Sequence, residues 1–397
     1  MPAPVDKPYA GTLSVQVDAT NLNQQIFKVR ESIPAKPGKM VLLFPQWLPG
    51  KHAPRGALTQ LAGLIFKANG KRVTWKRDDY DMYAYHIDVP AGATSVEAEF
   101  DFLSPVETAQ GRITMTSEIL GVQWENFVLY PAGHYASRIM VQPTLKLPQG
   151  WQYGTALETA QRTGDDVQFK PVDLVNLIDS PLFAGRYYKR YDLDPGAKIP
   201  VNLNVVGDTA DAVEAKPEHI AAHRNLVQQA YKLYGSQHYK HYDFLLSISE
   251  DFGGIGLEHH QSSENGVKPG YFTEWSKREI GRDLLAHEFT HSWDGKFRRP
   301  AGQKVANYSQ PMQNSLLWVY EGQTQYWGNV LAARSGLMSQ AQVMESLAAT
   351  AATYDNVQGR AWRTMVDTTN DPIITARRGT AWGNWQRGED YYSEGLL

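Results

Sequence analysis

The sequence predicts a multidomain α+β protein, with an antiparallel, β-sandwich-like domain over residues 1–210 and a mainly helical domain over residues 211–397. Three observations point there. Apolar and polar residues alternate with period two through the first half. Helical periods begin only after about residue 215. The length of 397 residues leaves room for two or three domains at roughly 100–200 residues each. Hydrophobic residues make up 42% and charged residues 20%, ordinary globular proportions that argue against disorder or a fibrous chain. A net charge of −3 gives no electrostatic footprint for nucleic acid or an anionic membrane. The apolar run Met40 to Phe44 stops at Pro45, far short of the roughly 20 residues of a membrane helix. The chain has no cysteine, so any metal site must use His, Asp or Glu. Met1 to Asp6 carries neither a basic n-region nor an apolar core and does not read as a signal peptide. A cytosolic start and a mature exported chain behind an added Met both fit it.

Taken in order, Thr12 to Asp18 and Ser95 to Phe102 alternate as half-buried strands do. Pro49-Gly50, Asn69-Gly70, Pro90-Ala91-Gly92 and Pro148-Gln149-Gly150 punctuate them as turns. Val206 to Ala210 marks the change of pattern, which places the boundary near 205–216. Ile220, Leu226, Ala230 and Leu233 then suit a helix from Pro217 to Tyr234, ended at Gly235. Asp243 to Ser249 is one more strand. Ser276 and Glu279 have capping-box spacing and open a helix expected to run to about Trp293. Another helix is expected from about Gln313 to Ser335 with Gly336 as its C-cap, and Ser339 and Gln342 can cap a third.

The strongest chemical signal is His287-Glu288-Phe289-Thr290-His291, the H-E-x-x-H pattern. Residues four apart on a helix share a face, so the two imidazoles can bind one Zn²⁺. Glu288, one residue round, can reach a water at the metal and act as general base. Leu285, Phe289 and Trp293 supply an apolar stripe for burial on the other side. The competing explanation is a buried helix whose histidines are satisfied by hydrogen bonds. A zinc hydrolase needs a third protein ligand, and no third His follows at metzincin spacing. Glu321 is the natural candidate: Leu316, Leu317, Trp318, Val319, Tyr320, Tyr326 and Trp327 make its helix apolar all round, and a buried Glu needs a positive partner. Asp294, three residues past His291, reads either as an acceptor for the second ring N–H of a zinc histidine or as an ordinary charge near a helix end. The spacing of His260, Arg377 and Arg378 assigns them no role.

These residues resemble a known group. Residues 280–397 resemble the glycyl aminopeptidase family of zinc metallopeptidases and, more distantly, the gluzincin aminopeptidases that include leukotriene A4 hydrolase. His287-Glu288-x-x-His291-x-Trp293-x-Gly295 is similar to the aminopeptidase form of the zinc helix. Glu321-Gly322 resembles the Asn-Glu-Gly third-ligand motif, with Tyr320 in place of Asn, and the longer spacer from His291 looks like the glycyl family's own. Gly254-Ile255-Gly256-Leu257-Glu258-His259 resembles the Gly-x-Met-Glu-Asn exopeptidase strand, with His259 in place of Asn. Tyr391-Tyr392-Ser393-Glu394-Gly395 resembles the Tyr-x-Lys-Gly segment, with Glu394 in place of Lys.

The resemblance implies a thermolysin-like catalytic domain and one Zn²⁺ per chain, held by His287, His291 and Glu321. It implies that Glu258, on the strand with Gly256, binds the free α-amino group of a peptide. It gives Tyr392, or failing that Tyr391, the oxyanion of the tetrahedral intermediate, and it implies small N-terminal residues, glycine or alanine, as substrates. The rivals are a thermolysin-type zinc endopeptidase and an inactive peptide- or glycan-binding protein. The resemblance also implies export, to the periplasm or beyond, with a cytoplasmic chain left open. Because a helical lobe and a PDZ domain follow in that family, the catalytic domain is expected to be C-terminally incomplete, with Ser393 to Leu397 starting a helix cut short. The missing part would then come from a longer precursor or a second polypeptide.

Overall fold

A computed structural model describes residues 1–277, 281–375 and 382–397. Glu279 and the Arg377-Arg378 pair lie outside the described residues.

The first half is β. Strand Thr12–Asn21 buries Leu13, Val15, Val17 and Ala19 and turns the alternate residues outward, as period two requires. It pairs antiparallel with Ile26–Pro34, which pairs with Ser95–Leu103 and that in turn with Leu61–Ala68. Its other edge pairs in parallel with Met140–Lys146, so the sheet is antiparallel apart from this ladder. Asn69 and Gly70 both take positive φ, 51° and 71°, the turn that joins hairpin strands without splaying them. A second sheet built on Gly38–Leu43 and Ala84–Val89 packs within the same core, where Phe27, Phe102 and Phe127 meet at ring separations of 5.0–6.5 Å.

The second half is built on a five-stranded sheet ordered Tyr187–Asp192, Val201–Gly207, Tyr242–Ile248, Ser262–Val267, Gly256–Glu258. Two of its three inner strands, Val201–Gly207 and Tyr242–Ile248, are buried at all seven positions and run parallel, as in a sheet covered on both faces. Leu203, Val205, Phe244 and Leu246 meet the helices on one face. Val206 and Leu245 meet Ile119 and Phe183 of the β half on the other. Two strands of this sheet lie before residue 210, so it reaches back across the expected boundary to Tyr187. Tyr187–Asp192 and Val201–Gly207 form an antiparallel pair like those preceding it, and local alternation cannot tell which sheet a hairpin joins.

The helix Pro217–Tyr234 ends at Gly235, whose φ is 68°, as the sequence predicts. Ser339 and Gln342 form the expected reciprocal cap of Gln340–Asp355, with N···O distances of 3.2 and 2.7 Å. The motif helix differs. It spans Leu284–His291, not Ser276 to Trp293, because Gly281 is left-handed at φ 87° and interrupts it. Ser276 sits instead in a short 3₁₀ turn, Trp275–Lys277. The next helix is Leu317–Ser335, four residues shorter at its start than expected. It is not buried all round: Tyr326 is 41% exposed, while Glu321 is 1% exposed. Ser393 to Leu397 forms turns and no regular helix. No helix among the described residues is long and apolar enough to cross a membrane.

Candidate metal centre

The motif helix is pinned from two sides. Leu285, Phe289 and Trp293 pack into the core beneath the sheet. Gly328 of the following helix admits the backbone of His287 so closely that an added Cβ would lie 3.0 Å from its Cα. The remaining face presents His287, Glu288 and His291, all buried, to a cavity of about 550 Å³.

Three donor atoms converge there. His291 Nε2 lies 3.0 Å from His287 Nε2 and 3.1 Å from Glu321 Oε2, and His287 Nε2 lies 3.5 Å from the same oxygen. Ligands about 2.0–2.2 Å from one tetrahedral zinc are separated by roughly 3.4 Å, so the donor set N, N, O fits that ion. Burial opposes a charged imidazole at His291, but Glu321 outweighs it and raises the ring to about 10. Burial likewise opposes charge on Glu321, and the histidines beside it hold it well below the usual carboxylate range. The attraction that holds a proton at this cluster is the attraction a divalent cation uses when it displaces that proton. Glu288 is raised well above its ordinary value, first by burial and then by the neighbouring carboxylates, with His291 opposing. The structure brings together every residue of the expected ligand set and the expected base.

Glu258 and Gly256 lie on the edge strand facing this cluster, at the same cavity. Glu258 is buried, and although burial opposes its charge, His291 and other nearby cations keep its pKa lowered. Its Oε1 accepts from the Tyr320 hydroxyl. Gly256 has no room for a side chain, because a Cβ would lie 2.5 Å from Glu288 Oε1. Tyr392 lines the cavity, its ring centred 6.2 Å from that of His287. Tyr391 instead packs under Leu317 and Tyr320, which separates the two alternatives. Gly322 and Gly395 touch backbone to backbone, and a Cβ on Gly322 would lie 2.7 Å from the Gly395 carbonyl carbon. That contact seats the Tyr392 segment against the Glu321 helix. Glu394, at the position of the family's Lys, pairs with Arg387 and Arg360 and does not line the cavity.

Asp294 is one step removed from its expected place. His291 Nδ1 donates to the Asp294 backbone oxygen at 3.0 Å, whereas the carboxylate accepts from Thr324 Oγ1 at 3.3 Å. The turn after the helix brings the carbonyl closer than the side chain. Gly295 ends that turn at φ 110°, and a Cβ there would overlap the Tyr320 ring. His260 turns away to pair with His238 at 2.8 Å. His259 bridges Asp179 Oδ1 at 3.2 Å and Glu264 Oε2 at 3.4 Å.

Sequence reasoning misses His52 as a site residue and treats Tyr320 as part of an apolar helix and as a departure from the family motif, not as the partner of Glu258. His52 comes from the β half and reaches Glu321 Oε1 at 2.7 Å. A lone histidine after Pro49-Gly50-Lys51 carries no spacing signal, since its partners lie some 200 to 270 residues away in the chain.

The sequence model of the M61 glycyl aminopeptidase family matches residues 281–397, and that of the peptidase M61 N-terminal domain matches residues 14–186. No curated protein matches the chain at the sequence level. Among solved structures it is similar to an aminopeptidase N family protein from Idiomarina loihiensis, at 18% identity and a TM-score of 0.80, covering 97% of this chain and 65% of that one. It is similar in fold to a mutant M1 zinc metallopeptidase from Deinococcus radiodurans bound to a Tyr-Ser-Ala substrate, at 14% identity and a TM-score of 0.53, covering 99% and 81%. It is also similar to yeast leukotriene A4 hydrolase, at 12% identity and a TM-score of 0.53, covering 97% and 57%. The chain thus spans about two thirds of the Idiomarina protein's length. The expectation of a second polypeptide finds no support in these comparisons.

Proposed function

The chain belongs to the M61 glycyl aminopeptidase family, and from that premise we propose that it is a zinc aminopeptidase that removes small N-terminal residues from peptides. The observation that carries this reading is the buried Glu258 carboxylate, facing the H-E-x-x-H face across a single cavity. A peptide ammonium paired with Glu258 places the first peptide bond over the cluster and gives that carboxylate a partner for its buried charge.

His287, His291 and Glu321 are the residues that would hold zinc. When bound there, zinc polarises a carbonyl and lowers the pKa of water. Glu288, held at the cavity wall against Gly256, takes a proton from the attacking water and returns it to the leaving amine. The Tyr392 hydroxyl donates a hydrogen bond to the oxyanion. Gly50 closes the end beyond Glu258: a Cβ there would lie 2.8 Å from Glu258 Oε2. That closure disfavours chain running past the anchor, as an endopeptidase needs, while the preference for glycine or alanine as the first residue rests on the family resemblance.

The test compares glycyl- and alanyl-amide reporters with their N-acetylated forms on zinc-loaded protein of known metal content. One zinc per chain, hydrolysis of the free amines and none of the blocked forms is the expected result. Equal rates on both would overturn the exopeptidase reading.

A further inference from the structure

We propose that His52, supplied by the β half, is a positioning residue for Glu321, fixing one carboxylate oxygen so that the other faces the metal. The inference rests on the reading of His287, His291 and Glu321 as a zinc site.

The two oxygens of Glu321 face different ways. Oε2 is the oxygen near the histidine pair, 3.1 Å from His291 and 3.5 Å from His287. Oε1 lies 2.7 Å from His52 Nε2. An ionised carboxylate only accepts, so His52 Nε2 carries the hydrogen and donates. Without that donor Oε1 would be a buried acceptor lacking its best partner, and the carboxylate would be free to rotate about its last bond.

His52 is itself firmly held. Its backbone oxygen accepts from Asn314 Nδ2 at 2.8 Å, and its ring stands edge-on to Tyr320 at 5.2 Å and 81°. It is 4% exposed. Its φ of 50° and the 73° of Gly50 turn the chain back between Leu48 and Ala53, and Lys51 Nζ anchors the turn to Glu125 at 3.1 Å. The β half thus delivers one imidazole to the far side of the third metal ligand.

His52, Glu258 and Glu321 also have donor atoms within 4.8 Å of one another, which raises direct ligation of a second ion. Two features favour positioning. A separation of 2.7 Å is a hydrogen bond, shorter than the roughly 3.4 Å between two ligands of one zinc. Glu258 Oε1 is already taken by Tyr320.

The experiment measures zinc affinity by chelator competition, and the visible spectrum of the cobalt-substituted full chain, for wild type, His52→Ala, His52→Gln and His52→Asn. A glutamine amide nitrogen reaches about as far as imidazole Nε2; an asparagine amide does not. His52→Ala and His52→Asn are expected to bind zinc about 10–100-fold more weakly and to alter the cobalt spectrum, with His52→Gln restoring both. If the alanine variant fails to fold, the glutamine–asparagine difference decides. Wild-type affinity and spectrum in every folded variant overturn the proposal. Two zinc ions in wild type, one of them lost with His52, overturn it in favour of direct ligation. A wild type that binds no zinc refutes the metal site itself, a result distinct from either.

Discussion

Gly256 and Glu288 occupy one another's space. A methyl group on Gly256 would stand 2.5 Å from Glu288 Oε1 and 2.8 Å from Leu284 Cδ1, so Gly256→Ala must push the base out of line while leaving the metal ligands alone. We expect that variant to keep its zinc and its melting temperature within a few degrees and to lose much of kcat, measured with a free-amine reporter. Glu288→Gln keeps shape and removes the proton acceptor, so activity should fall about 10²–10⁴-fold with zinc content unchanged. Full activity in the glutamine variant would mean that another group takes the proton. His287, Glu288 and His291 are legible in the sequence because their spacing is itself the geometry: four residues are one helical turn. Tyr320 is not, because its partner Glu258 lies 62 residues earlier on a strand.

Two helices and one short terminal segment meet at glycines. Gly328 admits the His287 backbone, and Gly322 admits Gly395. A Cβ on Gly322 would meet carbonyl carbon and oxygen at 2.7 Å, and backbone does not yield as a side chain tip does. Gly322→Ala should therefore displace the Tyr391–Tyr392 segment, reduce kcat more than zinc affinity, and lower the melting temperature. An alanine variant with wild-type kcat would show that the segment is not seated by this contact. Elements with a local signal match expectation closely, as the Gly235 terminus and the Ser339–Gln342 cap show. The motif helix does not: Ser276 offers a good cap seven residues before the observed N-cap Asp283, and the left-handed Gly281 decides the start.

At the scale of the whole molecule, the two halves are tied by buried charge. Asp179 of the β half pairs with Lys296 Nζ at 2.5 Å and with His259 Nδ1 at 3.2 Å. Burial opposes charge on His259, but its hydrogen bonds to Asp179 and Glu264 outweigh it and raise the ring to about 9. Burial would raise Asp179, and Lys296 and His259 hold it instead well below the usual carboxylate range. The raised histidine stabilises the fold fully below its unfolded value of about 6.5, and that contribution disappears as pH rises through about 9. The lowered aspartate contributes above about 4 and loses its contribution as pH falls through its folded value. Thermal melts should therefore fall between about pH 7 and 10 in wild type, and this alkaline slope should flatten in His259→Gln. An unchanged slope in that variant would assign it to other groups.

Local features are legible in the residues alone: the strand alternation, the Gly235 and Ser339–Gln342 caps, the H-E-x-x-H face and a carboxylate in the next helix. These depend on period and on spacing within one or two turns. Packing alone sets which carboxylate oxygen faces the histidines, that a backbone carbonyl and not the Asp294 side chain accepts from the His291 ring, and that strands before residue 210 complete the second sheet. It alone brought His52 to Glu321 across 269 residues of chain. Such contacts arise where separately formed elements pack, and no local pattern records which partner a buried polar atom meets when they do.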